Sequence, residues 1–369
     1  YRETFVPDLT VSHFGLATTL RLDIEQTLFG LEEPSRPDPG EGSVSTLAPG
    51  NVSVQPEEPE EGETPAASGP NVMDIDFDAL IANETDSTLK DMHEYFRDRT
   101  PTEKNQYTGM FQGKNLLLFT GEAFWIGAVN EQYTPTLYKL AHSGFVFENF
   151  YNPLWYYSTV DGEYAATTGL IPTNQVNASQ RYAGKNGVSM YFSMGNQLRA
   201  LGYPTLAYHN NTANYYDRNL SHPNLGYDFY ACDTGLDVAM TWPQSDLEMM
   251  QLTLPQALAG EKPFHNYYMT VSGHMNYSFA GNAMSAKHRD EVADLDMSEA
   301  ARAYLACNME LDQALEYTIK TLEEAGELEN TVIVLSGDHY PYGLDGTGAI
   351  DELAGEGTEA DPFEKYRST

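Results

Sequence analysis

Asp338 and His339 are adjacent in the sequence and follow, after Ser336 and Gly337, an uncharged, largely β-branched run at 332–335. Such a run predicts a strand buried on both faces of a parallel sheet. Carboxylate and imidazole groups both bind divalent cations, and ligands of open α/β sheets bind beyond the carboxyl ends of the strands. The pair therefore predicts a metal site. The alternative is a loop aspartate that caps the next segment, with a surface histidine beside it.

Two further predicted strands end in residues of the same kind. Glu122 follows the apolar run 115–121, and His274 follows the run 267–273. The carboxyl ends of parallel strands meet at one edge of a sheet, so we expect these side chains to converge with Asp338 and His339. His274 taken alone is also compatible with a structural histidine whose hydrogen bonds are satisfied.

Thr159 stands where a hydroxyl-rich turn runs into a predicted helix, in the segment 158–172. Backbone N–H groups and the helix dipole favour anions at such a position. A hydroxyl becomes a good nucleophile only when a base or a metal lowers its pKa. Thr159 is therefore a candidate nucleophile, and the alternative is that Ser158 or Thr159 is an ordinary N-cap.

A dense polar stretch follows the predicted strand 205–208. It contains His209, Asn211, Tyr216 and Arg218. These residue types predict a binding loop for an anionic, hydroxylated ligand. A surface loop of Asx turns is the alternative.

Strands that alternate with helices must position these residues. Strands are predicted at 115–121, 145–150, 205–208, 267–273 and 332–335. Helices are predicted over 77–99 and 134–140. A third predicted helix ends at Gly202, and a fourth runs from a capping-box-like start at 296–299 to Gly326. The alternation predicts an α/β fold with a doubly wound, largely parallel sheet flanked by helices.

The chain divides into three segments by composition. Residues 1–30 look like a helical stem, and 31–70 form an acidic linker rich in Pro, Glu and Gly, with little to bury and a composition typical of disorder. Residues 71–369 are the predicted catalytic domain. The first residue is Tyr1, and no apolar run is long enough to span a membrane. We therefore expect a piece of a longer chain from which a targeting or membrane region has been removed.

The formal net charge of −34 excludes a nucleic-acid binder that works by neutralising phosphates. A phosphate-bearing substrate would need a metal cation or local Arg and His side chains to offset this field. The two cysteines, Cys232 and Cys307, form no C-x-x-C motif, so pairing and free thiols both stay open.

Seven motifs occur in the order seen in one known family. They are NLLLFTGEAF, TPTLYKLA, STVDGEY, GYPTLAYHNN, YYDR, VSGHMNY and VIVLSGDHY. From residue 71 onward the chain resembles the lipoteichoic acid synthase family, which are sulfatase-like phosphoglycerol transferases of the alkaline phosphatase superfamily. The resemblance implies an alkaline phosphatase-like fold that would be incomplete at the C-terminus.

The resemblance also implies roles for individual residues. Glu122, Thr159, Asp338 and His339 would hold one divalent ion, usually Mn²⁺, with Mg²⁺ and Zn²⁺ as alternatives, and Thr159 would be the nucleophile. The residues implied to bind the glycerophosphate group are His209, Asn211, Tyr216, Arg218 and His274. Tyr216 stands where the synthases have Trp, and Asn211 where an acid is also seen, which bears on substrate preference.

The implied activity is transfer of glycerophosphate from phosphatidylglycerol to a glycerol or glycolipid acceptor. It would take place outside the cell membrane of a Gram-positive-type bacterium, with the chain held by a membrane domain. A hydrolase of glycerophosphate lipids or polymers would differ only in its acceptor. A formylglycine sulfatase is excluded because neither Cys232 nor Cys307 lies in a C/S-x-P-x-R motif. A two-metal phosphatase would require more ligands, and a non-catalytic acidic surface module is the alternative outside enzymes.

Overall fold

The computed structural model describes residues 68–72, 75–173 and 190–368. The predicted stem at 1–30 and most of the predicted linker, 31–67, lie outside the described residues. The residues that carry the candidate site chemistry are all described.

A five-stranded sheet forms the centre of the fold. Its strands are β1 (Asn115–Gly121), β2 (Thr205–His209), β3 (Asp228–Ala231), β4 (His265–Met269) and β5 (Thr331–Gly337). They lie in the order β3-β2-β4-β1-β5, and every pairing between them is parallel. All five carboxyl ends therefore share one edge, as the α/β prediction requires.

Helices cover both faces of this sheet. They are α1 (Phe77–Asn83), α2 (Ser87–Arg97), α3 (Pro135–Ala141), α4 (Thr159–Thr168), α5 (Met194–Ala200), α6 (Arg218–Asn224), α7 (Asp246–Ala259), α8 (Ala283–Lys287), α9 (Glu299–Glu324), α10 (Ala349–Ala354) and α11 (Pro362–Lys365). Successive residues of β1 point to opposite faces. Leu117 packs in the cluster with α7 and α9, whereas Leu118 packs in the cluster with α4. The predicted doubly wound arrangement is confirmed.

The longest helix, α9, follows the predicted boundaries closely. Ser298 is its N-cap and accepts a hydrogen bond from the backbone of Ala301. Leu311, Leu315 and Leu322 are buried, and Gly326, just after the end, has φ +69°. A left-handed backbone after the last turn is typical of glycine.

The predicted helix over 77–99 is wrong as a single element. Glu84 ends α1, and Asp86 begins α2 by accepting hydrogen bonds from the backbone of Thr88 and Leu89. An aspartate side chain competes well with the helical backbone for these donors, so it is favoured as an N-cap over an interior position.

The predicted strand at 145–150 is also wrong, because this segment is a loop. No described strand pairs with it. Phe145 is 55% exposed and Phe147 is 70% exposed. Phe145 contacts the rings of Tyr107 and Phe111 edge-on. In this segment Phe145 therefore forms a local aromatic contact, and the segment contributes no face to the sheet.

The strand that precedes Asp338 was predicted to be buried on both faces, and this too requires correction. Among the described residues β5 pairs only with β1, so it is an edge strand. Val334 is 38% exposed. An uncharged β-branched run reports strand propensity, whereas the place of a strand in the sheet depends on distant segments.

None of the helices in the described part of the chain is long and apolar enough to span a membrane. Cys232 and Cys307 are both free thiols, which decides the alternative left open by their spacing.

The buried carboxylate of Glu310 links three helices, α7, α8 and α9. Glu310 on α9 accepts hydrogen bonds from Lys287 Nζ (2.6 Å), His288 Nε2 (2.8 Å) and the hydroxyl of Ser245, the N-cap of α7. Burial alone would raise the pKa of Glu310, but these hydrogen bonds outweigh it and lower the pKa to about 2. The ionised form is thus favoured in the folded state.

We expect this carboxylate to make the free energy of unfolding depend on pH in the acidic range. The folded pKa lies below the ordinary value of 4.5, so its stabilisation is present above pH 4.5 and is lost as the pH falls towards 2. At about 1.4 kcal/mol per pKa unit, about 2 kcal/mol of unfolding free energy should disappear between pH 6 and pH 3. Urea unfolding at each pH measures it. Glu310→Gln is the control, and an equally steep acid dependence in this variant would contradict the assignment.

Candidate active site

Glu122 is placed by a strained turn at the end of β1. Ala123, the next residue, has φ 50°, a left-handed backbone that costs a non-glycine residue about 1–3 kcal/mol. This turn lets the Ala123 N–H donate to Asp338 Oδ1 at 2.8 Å. The strained backbone after β1 therefore supplies a hydrogen-bond donor to the carboxylate of Asp338, which follows β5.

Asp338 and His339 lie side by side with Glu122, as the strand-end prediction requires. Asp338 Oδ1 accepts hydrogen bonds from the backbone of Ala123 and of His339 (2.7 Å). Its other oxygen, Oδ2, is buried and has no hydrogen-bond partner among the described residues. His339 Nε2 lies 3.5 Å from Glu122 Oε1 and 3.5 Å from Asp338 Oδ2.

The Thr159 hydroxyl points into this cluster. Its Oγ1 donates to Glu122 Oε2 at 3.1 Å and lies 3.4 Å from His339 Nε2. Thr159 is the first residue of α4, and the N-cap, Ser158, makes no capping hydrogen bond with its side chain. Ser158 also has φ 50°, a strained backbone that aims the start of the helix at the strand ends. The N-cap alternative therefore does not describe these hydroxyls.

The cluster suits a divalent cation. One ligand atom from each of Glu122, Asp338 and His339 lies within 4.8 Å of the others, and all three residues are buried. Burial raises the pKa of Glu122 well above its usual range, and the neighbouring Asp338 carboxylate raises it further. Two carboxylates at close range with a buried, unpartnered oxygen form a donor set that positive charge would complete.

Two glycines allow other elements to reach the cluster. A Cβ at Gly162 of α4 would lie 2.2 Å from the carbonyl oxygen of Asp338. A Cβ at Gly273, in the loop after β4, would lie 2.2 Å from the carbonyl oxygen of Glu122. The glycines therefore allow the nucleophile helix and the His274 loop to pack against the backbone of the ligands.

His209 lies at the end of β2, beside the end of β4. Its Nδ1 is 3.0 Å from the carbonyl oxygen of Met269. Burial, and next the charge of Arg218, hold the pKa of His209 well below its usual range. The neutral ring then donates from Nδ1 and leaves the Nε2 lone pair as an acceptor. Asn211 follows on the same strand end, where its Oδ1 accepts from the backbone of Thr212 at 2.7 Å.

Arg218 is buried and paired, which the sequence interpretation did not foresee. Its Nε and Nη2 donate to the two carboxylate oxygens of Glu163, and each side chain is 1% exposed. The Tyr216 ring lies 5.2 Å from the guanidinium carbon. Glu163 occupies α4 one turn after Thr159. Its position four residues after Thr159 is the sequence signal that identifies it as a neighbour of the nucleophile.

Replacing Glu163 by glutamine should destabilise the fold by about 3 kcal/mol, because it leaves the Arg218 guanidinium buried without a counter-charge. Urea unfolding measures this loss. The double variant Glu163→Gln/Arg218→Met removes both charges and should recover part of it. If the single and double variants are equally unstable, the pair is not an interacting unit.

His274 lies in a loop that two buried side chains hold. Asp246, the first residue of α7, accepts hydrogen bonds from the backbone of Val271 (2.9 Å) and Ser272 (3.1 Å). The Asn282 side-chain amide donates to the carbonyl oxygens of Ser272 (3.0 Å) and His274 (2.7 Å). Neither Asp246 nor Asn282 follows a strand in the sequence, so the strand-end argument could not find them.

Comparisons with known proteins agree with this geometry. A model of the sulfatase family matches residues 114–364, more than half of the chain. Lipoteichoic acid synthase 2 of Bacillus subtilis is 23% identical over 300 residues, which cover 77% of this chain and 44% of that protein. Lipoteichoic acid synthase of Staphylococcus saprophyticus is 25% identical over 289 residues, covering 75% of this chain and 43% of that protein. The chain therefore spans less than half the length of these relatives.

Solved structures show the same fold. The lipoteichoic acid synthase LtaP from Listeria monocytogenes superposes with a TM-score of 0.58 and 23% identity, over 70% of this chain and 65% of that one. An alkaline phosphatase superfamily protein from Vibrio parahaemolyticus gives 0.51 and 19% identity, over 69% of this chain and 58% of that one. The predicted alkaline phosphatase-like fold is confirmed. The chain belongs to the sulfatase family.

Proposed function

We propose that this chain is a metal-dependent phosphoglycerol transferase of the lipoteichoic acid synthase type, with Thr159 as its nucleophile. One observation carries the proposal: the Thr159 hydroxyl lies 3.1 Å from Glu122 and 3.4 Å from His339, inside a buried set of three metal-ligand side chains. The curated relatives named lipoteichoic acid synthase support the same activity.

Glu122, Asp338 and His339, together with the Thr159 hydroxyl, would hold one divalent ion, for which we propose Mn²⁺. An ion bound there would lower the pKa of the Thr159 hydroxyl and neutralise charge on a phosphate oxygen. The two buried carboxylates would offset the charge of such an ion, and Asp338 Oδ2 has no hydrogen-bond partner among the described residues.

In the proposed first step Thr159 Oγ attacks the phosphorus of phosphatidylglycerol. The Oγ–P bond forms while the bond from phosphorus to the diacylglycerol oxygen breaks. The nearest acceptor for the hydroxyl proton is Glu122 Oε2, to which Thr159 Oγ1 already donates. Diacylglycerol leaves with a proton from solvent, and glycerophosphate stays on Thr159. An acceptor hydroxyl then attacks the phosphorus and releases Thr159.

The residues around this centre suit a glycerophosphate group. The charge of Arg218 would stabilise the equatorial phosphate oxygens, with Glu163 fixing its orientation. His274 would contribute a second contact. The neutral His209 presents a ring nitrogen that accepts a hydrogen bond from a glycerol hydroxyl. Tyr216 and Asn211 would complete the pocket wall.

The proposal includes partners and location. The donor would be phosphatidylglycerol and the acceptor a glycerol or glycolipid hydroxyl. The site would act outside the cell membrane, with residues 1–70 joining the catalytic domain 71–369 to a membrane region. Hydrolysis is the alternative outcome of the same first step, with water in place of the acceptor.

Incubation with fluorescent phosphatidylglycerol and Mn²⁺ tests the proposal. We expect release of diacylglycerol, and its loss on chelation with EDTA. Adding a glycolipid acceptor should yield a product extended by glycerophosphate. Free glycerophosphate in the presence of acceptor would instead identify a hydrolase. An unchanged lipid after incubation with Mn²⁺ and acceptor would contradict the proposed function.

A further inference from the structure

An exposed apolar loop stands beside the candidate site. Within residues 239–242, Met240 is 68% exposed and Trp242 is 46% exposed. All four residues are uncharged, in a chain whose net charge is −34. Contiguous exposed apolar surface can mark a site of contact with another molecule, and the position of this loop next to the candidate site is what distinguishes it from other exposed apolar residues.

The backbone of this loop is held in place. The Ala239 N–H donates to Glu248 Oε2 at 3.0 Å, and the Thr241 N–H donates to the Ala239 carbonyl at 3.0 Å. The Trp242 carbonyl accepts from the Ala283 N–H at 2.9 Å. The loop therefore presents Met240 and Trp242 in a fixed arrangement, and a ligand that contacts them would not have to order the loop first.

Trp242 connects the loop to the site. Its ring meets His274 edge-on, with 4.9 Å between ring centroids and 62° between planes. Gly273, the residue before His274, packs against the backbone of Glu122, where an added Cβ would lie 2.2 Å from the Glu122 carbonyl oxygen. Trp242 is thus joined through the His274 loop to the ligand cluster, and its side chain is 46% exposed to solvent.

The chemistry of the loop favours an apolar ligand over a sugar. Met240 offers no hydrogen-bond donor, and the Thr241 hydroxyl donates inward to the Pro243 carbonyl at 2.8 Å. Recognition of a glycan would require outward-facing polar side chains. An indole beside a thioether suits an acyl ester, which is apolar along its chain and polar at its carbonyl.

We propose that Met240 and Trp242 form the subsite for the acyl-ester end of the lipid phosphodiester donor. This inference rests on the proposed function and deepens it by naming the part of the lipid that the chain contacts. The phosphate would lie at Thr159, and the diacylglycerol arm would run over His274 onto the loop. The two side chains would then be specificity-determining residues for lipid over acyl-free phosphodiesters.

Three substrates separate the effects in the double variant Met240→Ala/Trp242→Ala. With monomeric dihexanoyl phosphatidylglycerol and Mn²⁺ we expect KM to rise about tenfold or more, from the lost apolar contact. With bis(p-nitrophenyl) phosphate, which has no acyl chain, kcat/KM should stay within about twofold, as expected for a contact made only with the acyl arm. With phosphatidylglycerol vesicles the loss should match that of the monomer. Leu201→Ala is the control, because it removes an apolar side chain that is 74% exposed and precedes β2, at the amino-terminal edge of the sheet and away from the strand ends of the site.

Binding gives a readout that does not depend on turnover. Adding dihexanoyl phosphatidylglycerol to the Thr159→Ala variant should shift tryptophan emission to shorter wavelength, and the further substitution Trp242→Phe should abolish the shift. This binding experiment distinguishes the acyl subsite from the proposed function. If Thr159→Ala shows the emission shift but the wild-type chain does not turn the lipid over, the subsite is supported and the proposed function is contradicted.

Other results would overturn the inference. Equal losses on lipid and on bis(p-nitrophenyl) phosphate would show that Trp242 supports His274 instead. A loss confined to vesicles would show contact with the membrane surface and not with the acyl arm of the bound molecule. An unchanged KM for the monomeric lipid, or no emission shift, would also reject the subsite.

Discussion

Thr159→Ala is expected to abolish turnover of phosphatidylglycerol, with a fall in kcat on the order of 10⁴-fold or more. The substitution removes the hydroxyl that points into the ligand cluster, while Glu122, Asp338 and His339 should keep their positions. Release of diacylglycerol with Mn²⁺ present measures the effect. Mn²⁺ binding should survive, because three of the four proposed ligands remain.

Thr159→Ser is the matched control, since it keeps the hydroxyl and loses one methyl group. It should retain measurable activity and form a covalent glycerophospho adduct detectable by mass spectrometry. Turnover by Thr159→Ala near the wild-type rate would reject the nucleophile. It would favour water attacking the donor directly.

Asp338→Asn is expected to weaken Mn²⁺ binding on the order of 10³-fold. The amide can keep Oδ1 as acceptor for the Ala123 and His339 N–H groups, so the local backbone should survive. Its Nδ2 would replace Oδ2, the buried oxygen that has no partner among the described residues. Isothermal titration with Mn²⁺ measures the change in affinity.

The same variant should behave differently without the ion. The Asp338 carboxylate raises the pKa of Glu122 in the folded state, so removing that charge relieves repulsion. We expect the metal-free variant to be at least as stable as the metal-free wild type, and to gain little Tm from added Mn²⁺. An equal rise in Tm for both proteins on adding Mn²⁺ would contradict the assignment of Asp338 as a ligand.

Local sequence patterns predicted that three strand-end residues meet, and the structure brings these three side chains together. Glu122, Asp338 and His339 each follow an uncharged run, and a strand rich in such residues ends where polar residues begin. Because parallel strands end at a common edge, the order of elements was sufficient to predict that these residues meet. The start of α4 at Thr159 was visible for the same reason.

Two of the three misjudged elements depend on partners far along the chain, and the third depends on a local helix cap. The apolar residues at 145–150 fit a strand pattern, but no strand lies beside them. The segment 77–99 fits a helix pattern, yet Asp86 caps a new helix in its middle. The run before Asp338 has the composition of a central strand and lies at an edge.

Sequence alone determined the α/β class, the parallel sheet and the residues at its functional edge, because periodicity and strand ends are properties of neighbouring residues. Only the tertiary structure decided that Glu163 holds Arg218, that Asp246 and Asn282 fix the His274 loop, and that Trp242 borders the site. Those contacts join groups that lie between eight and 55 residues apart in the chain. No short-range pattern encodes them, because burial and charge pairing arise only when the chain has packed.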